Sequence, residues 1–125
     1  MGLNNPELIK SFKAGAAISR CRILKFDSNL DMIHGAAATD KLIGVSTNIA
    51  TDSGSRVDVV LEGIAEVEFG GTVTAGDQVT SDSSGKAVTA APSAGVNNRI
   101  IGIAMESGVS GDIGSILIEQ SSVQG

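Results

Sequence analysis

From Ala14 onward the chain alternates short apolar runs with clusters of Gly, Ser, Asp and Asn, the pattern of strands separated by tight turns. It predicts strands at Ala17–Ser19, Arg22–Phe26, Met32–Ala36, Leu42–Ser46, Arg56–Leu61, Ile64–Phe69, Gln78–Ser81, Ala87–Ala90, Arg99–Met105 and Gly114–Glu119. The clearest period-two stretch sets Val57, Val59 and Leu61 against Asp58 and Glu62. Beyond Gly63, Ala65, Val67 and Phe69 alternate with Glu66 and Glu68. That reads as an antiparallel hairpin turning at Glu62-Gly63, with a row of carboxylates on its wet side. Arg99–Met105 is apolar on both faces, as a central buried strand requires. Residues 1–13 differ. After the Asn4-Asn5-Pro6 turn signal, Leu8, Ile9 and Phe12 fall at helical spacing over a stretch too short for a stable helix. This segment predicts an extended or partly helical arm that becomes ordered on what it touches.

The order of motifs repeats. Lys13-Ala14-Gly15-Ala16-Ala17-Ile18 recurs as Thr74-Ala75-Gly76-Asp77-Gln78-Val79, an offset of 61 positions. Leu42-Ile43-Gly44-Val45 recurs 58 positions on as Ile100-Ile101-Gly102-Ile103. Asp58-Val59-Val60-Leu61-Glu62 recurs 57 on as Ser115-Ile116-Leu117-Ile118-Glu119. Two copies are too few for a solenoid. The expected fold is all-β: a small compact barrel or sandwich of two similar lobes over residues 14–120, with an N-terminal arm at 1–13 and a flexible tail at 121–125.

Composition narrows what such a domain does. The length of 125 residues fits one domain, whose folded surface should be about 6,200 Å² against about 18,000 Å² unfolded. Three Phe and no Trp or Tyr leave Ile, Val, Leu and Ala to fill the core. Nine basic and fourteen acidic residues give a net charge of −5. An acidic surface without aromatic platforms repels nucleic acid and anionic membranes, so neither is an expected partner. No apolar stretch approaches the ~18 residues of a membrane span. The N-terminus lacks a secretory pattern, and Pro6 breaks the myristoylation motif. The lone Cys21 forms no internal disulfide, consistent with synthesis in a reducing cytoplasm.

Candidate chemistry fails on inspection of spacing. Asp27-Ser28-Asn29-Leu30-Asp31 opens like a calcium loop, but Met32 and Ala38 stand where the loop needs Gly and Glu. Cys21 and His34 are the lone residues of their kinds, a small buried hydrophobe and a surface or turn residue in the simplest reading. Gly108-Val109-Ser110-Gly111-Asp112 misses the last Gly of a nucleophile elbow. Near Ser84-Gly85-Lys86-Ala87, Thr80 and Ala87 replace essential phosphate-loop residues. The sequence therefore predicts no enzyme, metal or cofactor. One near-match is of another kind: Thr39-Asp40-Lys41-Leu42 resembles the hairpin tip of lipoyl and biotinyl carrier domains, with Lys41 as the attachment point. The acidic residue such carriers place after it is missing from Ile43-Gly44-Val45-Ser46.

A broader resemblance covers residues 13–120. Its pieces are Lys13-Ala14-Gly15, Ala36–Val45, Gly54–Val60, Gly63-Ile64-Ala65-Glu66-Val67, Thr74–Thr80, Gly85-Lys86-Ala87-Val88 and Asn98–Ala104. Together they resemble the capsid decoration, or cement, proteins of tailed bacteriophages. The resemblance implies a small β domain, commonly trimeric, made in the bacterial host cytoplasm. It would bind the major capsid protein on the outside of the icosahedral head near local three-fold positions, and stabilise the head. The expected capsid-binding residues are those of the arm: Leu3, Asn4, Pro6, Leu8, Ile9 and Phe12. Carriage of a cofactor on Lys41 is the alternative. Glycan or receptor binding is a third reading, disfavoured by the absence of Trp and Tyr.

Overall fold

The computed structural model describes residues 5–124 and contains nine strands and no helix among them. In chain order they are β1 (Asn5–Lys13), β2 (Ile23–Phe26), β3 (Met32–His34), β4 (Leu42–Ser46), β5 (Arg56–Glu68), β6 (Gln78–Ser81), β7 (Ala87–Thr89), β8 (Asn97–Ala104) and β9 (Ile113–Gln124). Every ladder is antiparallel, and one curled sheet runs β3-β2-β4-β5-β9-β8-β6-β7. β1 and β9 both pair with Gly63 and Ile64, so they flank opposite edges of β5. The surface area, 6123 Å², matches the value expected for a folded chain of this mass.

The all-β, two-lobed expectation holds, and the strand order explains it. Reading outward from the β5–β9 pair gives β5-β4-β2-β3 on one side and β9-β8-β6-β7 on the other. Each lobe thus carries the same hairpin, inner strand and end strand. The equivalence extends to single bonds. Gly15 N–H donates to Met32 O and Gly70 N–H to Ala87 O, while Ile18 pairs with Thr51 as Val73 does with Gly108. In the turns, Asp27 Oδ1 accepts from Asn29 and Asp31 N–H, as Asp82 Oδ1 does from Ser84 and Lys86. Over this first part of each lobe the partners stand 55 positions apart, not 61. The later offsets of 58 and 57 stand: Gly44 faces Leu24 as Gly102 faces Val79, and Val45 faces Val60 as Ile103 faces Leu117.

The strands bear on four further expectations. The stretch 56–69 is no hairpin; β5 runs straight through Gly63, at φ +96°, with a bulge beside it where the register against β1 slips at Leu61. Before the bulge Val57 and Val59 face one core, and after it Ala65 and Val67 face the other together with Val60. The arm, expected as extended or partly helical, is extended from Asn5 onward, a strand paired with β5 and irregular around Leu8. Residues 121–124, expected as a flexible tail, are strand β9 paired with β8. Finally, 17–19 forms no strand; Ile18 makes a single bridge to Thr51.

The smaller core recurs at equivalent positions inside the larger one, with side chains of different size at several of them, the largest change being at Ala14 and Val57. Ala14, Ile18, Leu24, Met32, Val57 and Val59 pack together in the first lobe. Their counterparts Phe69, Val73, Val79, Ala87 and Ile116 lie in the larger cluster, and Gly114 takes the place of Val57. A Cβ on Gly114 would collide with the Phe69 ring. The small–large pair Ala14–Val57 has become the large–small pair Phe69–Gly114, which conserves filled volume. Phe69→Ala should cost about 3–5 kcal/mol through its cavity, and Gly114→Val about 1–3 kcal/mol through overpacking. The double variant restores the first lobe's pair, so urea unfolding should show a loss well below the sum, with a coupling of roughly 2 kcal/mol. Strict additivity would refute the exchange.

Candidate functional site

The strand β1 divides the predicted arm residues between two faces. Phe12 is half-buried against the first-lobe core and meets Phe26 edge-on, with ring centroids 5.8 Å apart and planes at 69°. Ile9, paired with Val60, points the other way and is 44% exposed. Leu8 is half-buried at the bulge. The single apolar face expected from helical spacing is therefore not assembled. The side chain of Pro6 and the residues Leu3 and Asn4 lie outside the described part.

Ile9 instead lines a cleft of about 450 Å³ with Cys21, Thr47, Asn48, Ala65 and Glu66. Ile49, next to Asn48 in the loop after β4, is 66% exposed. At the hairpin tip after β2, Leu30 is 72% exposed and holds φ at +63°. Its counterpart 55 positions on is Gly85, with φ of +76°. A leucine there bears a conformational cost of about 1–2 kcal/mol that its glycine counterpart avoids. These exposed apolar residues are separated along the chain, and no spacing rule joins them.

Beside this surface lies the seam between lobes. Ile23 N–H donates to Gly85 O at 2.7 Å, and Glu68 N–H to Cys21 O at 2.9 Å. Glu68 bridges two cations, Arg22 at 3.3 Å and Lys86 at 3.1 Å. Burial pushes the Glu68 carboxyl up, but the Lys86 hydrogen bond and the charges of Arg22 and Lys86 prevail and hold it low. Glu68 is thus part of the seam rather than of a wet carboxylate row. Arg22 also donates to Ser84 O at 3.0 Å.

The candidate chemical residues are occupied structurally. Cys21 is buried, and burial followed by the charge of Glu66 pushes its thiol up, away from the reactive thiolate. His34 Nε2 accepts from Ser19 N–H at 2.9 Å. Burial, then the neighbouring Arg22 charge, lowers the imidazole below its ordinary value. Lys41 does not crown a hairpin, because β3 and β4 both pair with β2 and not with each other. Its neighbour Asp40 accepts from Ala36 and Ala37 N–H and pairs with Lys25 at 3.0 Å, which fastens the connection. Among the described residues no group of three or more His, Cys, Asp or Glu is gathered.

Comparison with known proteins decides the family. The family model described as phage cement protein matches residues 7–119, nine-tenths of the chain. The chain belongs to the phage cement protein family. A search of curated proteins found no match. Among solved structures the cement protein is similar to the head fibre gp8.5 N base of bacteriophage phi29, with a TM-score of 0.67. The alignment covers 94% of this chain and 98% of that one at 18% identity, a likeness of fold. The cement protein is thus a phage head-associated structural protein.

The His34 environment sets a pH dependence. Its folded pKa lies below the ordinary 6.5, so the unfolded chain binds more protons as pH falls through that value. The associated stability is complete above about 6.5 and is lost as pH drops toward the folded pKa. The lowered carboxyls of Glu68 and Asp40 act further down, below their ordinary values of 4.5 and 3.8. Thermal unfolding followed by circular dichroism should show a falling midpoint below pH 6.5. His34→Gln, which keeps an acceptor for Ser19, should remove that upper portion and leave the lower one. An unchanged profile in the variant would reject the assignment.

Proposed function

We propose that this protein decorates the outside of the icosahedral head, binds the major capsid protein as a trimer near local three-fold positions, and stabilises the shell. The family match over residues 7–119 carries the reading. The surface supports it: Ile9 on β1 stands exposed on the wall of a cleft of mixed polar and apolar lining, with Ile49 at the adjoining loop. Scattered apolar residues on a monomer are ordinary, but this pair adjoins a concavity able to receive a side chain. A cement protein is added in many copies to a preformed shell. It needs solubility in the free state, supplied by a charge of −5, and an inert body. Three linked contacts can raise avidity by ~10²–10⁴ over one, so each interface can stay modest.

Light scattering of the purified protein should give a trimer, and the protein should co-sediment with phage heads. Ile9→Glu should leave the unfolding midpoint nearly unchanged, because the side chain is already half in solvent, and lower head occupancy by about tenfold or more. Full coating by the variant would refute the β1 contact. A wild-type protein that stays in the supernatant would refute the decoration role itself.

A further inference from the structure

The internal repeat exposes a place where one lobe lacks a strand that the other has. Lys41–Ile43 and Arg99–Ile101 are counterparts, 58 positions apart. In the second lobe, Arg99 and Ile100 pair with Ser122 and Ser121 of β9. The counterparts of Ser121 and Ser122 in the first lobe, 57 positions earlier, are Ile64 and Ala65. These have crossed the Gly63 bulge and pair with Leu117 and Ile116 instead. β4 therefore meets β5 only at Val45 and Ser46. Among the described residues no strand lies on the edge at its beginning, and the Gln120 side-chain amide donates to the Ile43 carbonyl there.

The gap is an open cleft of about 770 Å³, with Lys41, Ile43, Arg99, Gln120, Ser121 and Ser122 on its walls. Lys41 and Arg99 are exposed, and neither joins an ion pair among the described residues. Two exposed cations thus share one cleft on a chain of net charge −5. Serine hydroxyls, two cations and a backbone edge whose Ile43 carbonyl is held by a displaceable side-chain amide together suit an extended peptide bearing a carboxylate.

We propose that this cleft receives an extended acidic arm of the shell protein. The arm adds to the β4 edge at Lys41–Ile43 as Ser121–Ser122 adds to β8, and sets a carboxylate between Lys41 and Arg99. The inference rests on the decoration reading above and names the chemistry of its partner. The test uses the full chain, phage heads and the double variant K41E/R99E. Unfolding midpoint and light scattering establish that the variant folds and keeps its oligomeric state.

Wild-type protein should co-sediment with heads in a salt-sensitive manner, and K41E/R99E should bind at least tenfold more weakly. Hydrogen exchange on head-bound wild-type protein should show new protection at residues 41–43 and 120–122. Equal binding by the variant would overturn the proposal while leaving the decoration role intact. So would weaker binding without protection at 41–43, which would mark the cations as a charged rim. A changed oligomeric state in the variant would assign the cleft to contacts between copies and likewise overturn it. Absence of wild-type binding would overturn both readings.

Discussion

One strand, β5, belongs to two cores, and the rest of the molecule follows from how it changes allegiance at Gly63. Before the bulge its odd residues pack in the first-lobe cluster; after it they pack in the larger cluster, which Ile23, Leu42 and Val45 of the first lobe also enter. The bulge beside Gly63 inserts the half-step that a regular strand forbids. Because the strand is continuous, the lobes cannot separate without breaking β5 or stripping β1 and β9 from its edges. A duplicated domain joined by a flexible linker would behave as two units. Here the ladder itself is the joint.

The same crossing makes the lobes unequal. The second lobe's hairpin turn is seated on Ile23 and held by Arg22, Glu68 and Lys86. The matching turn of the first lobe faces solvent, with Leu30 at its tip. Likewise the second lobe closes its β8 edge with the end of β9, while the first leaves the start of β4 open. A rigid body with near-identical halves thus presents distinct surfaces where the repeat is broken. For a protein that works by contact, the uncovered counterparts of covered features are where partners can be added.

Much of the fold was legible in the chain, for physical reasons that also explain the failures. Leu42–Ser46 and Gln78–Ser81 are bounded by turn residues and match their strands end to end. Glu62-Gly63 imitates a hairpin turn, because bulge and turn both call for a glycine at positive φ, and only tertiary pairing separates them. The 61-residue offset followed a recurring Ala-Gly pair. The true counterpart of Ala14-Gly15 is Phe69-Gly70, disguised by the exchange of Ala14–Val57 for Phe69–Gly114. Of the arm residues, helical spacing grouped Ile9 with Phe12, whereas strand geometry sends them to opposite faces. The Lys41–Arg99 cleft was beyond reach, since it depends on which strand is absent between residues 58 positions apart.

On the proposed reading, a two-lobed, single-sheet body attaches to a phage head through surfaces that its second lobe keeps covered and its first leaves open. Cryo-electron microscopy of heads incubated with the purified protein tests this most directly. Density is expected on the outer face of the shell, with the first lobe toward the shell and both β1 and the start of β4 in contact. Bare heads, or density touching the shell only through the β6–β7 hairpin side of the second lobe, would contradict it.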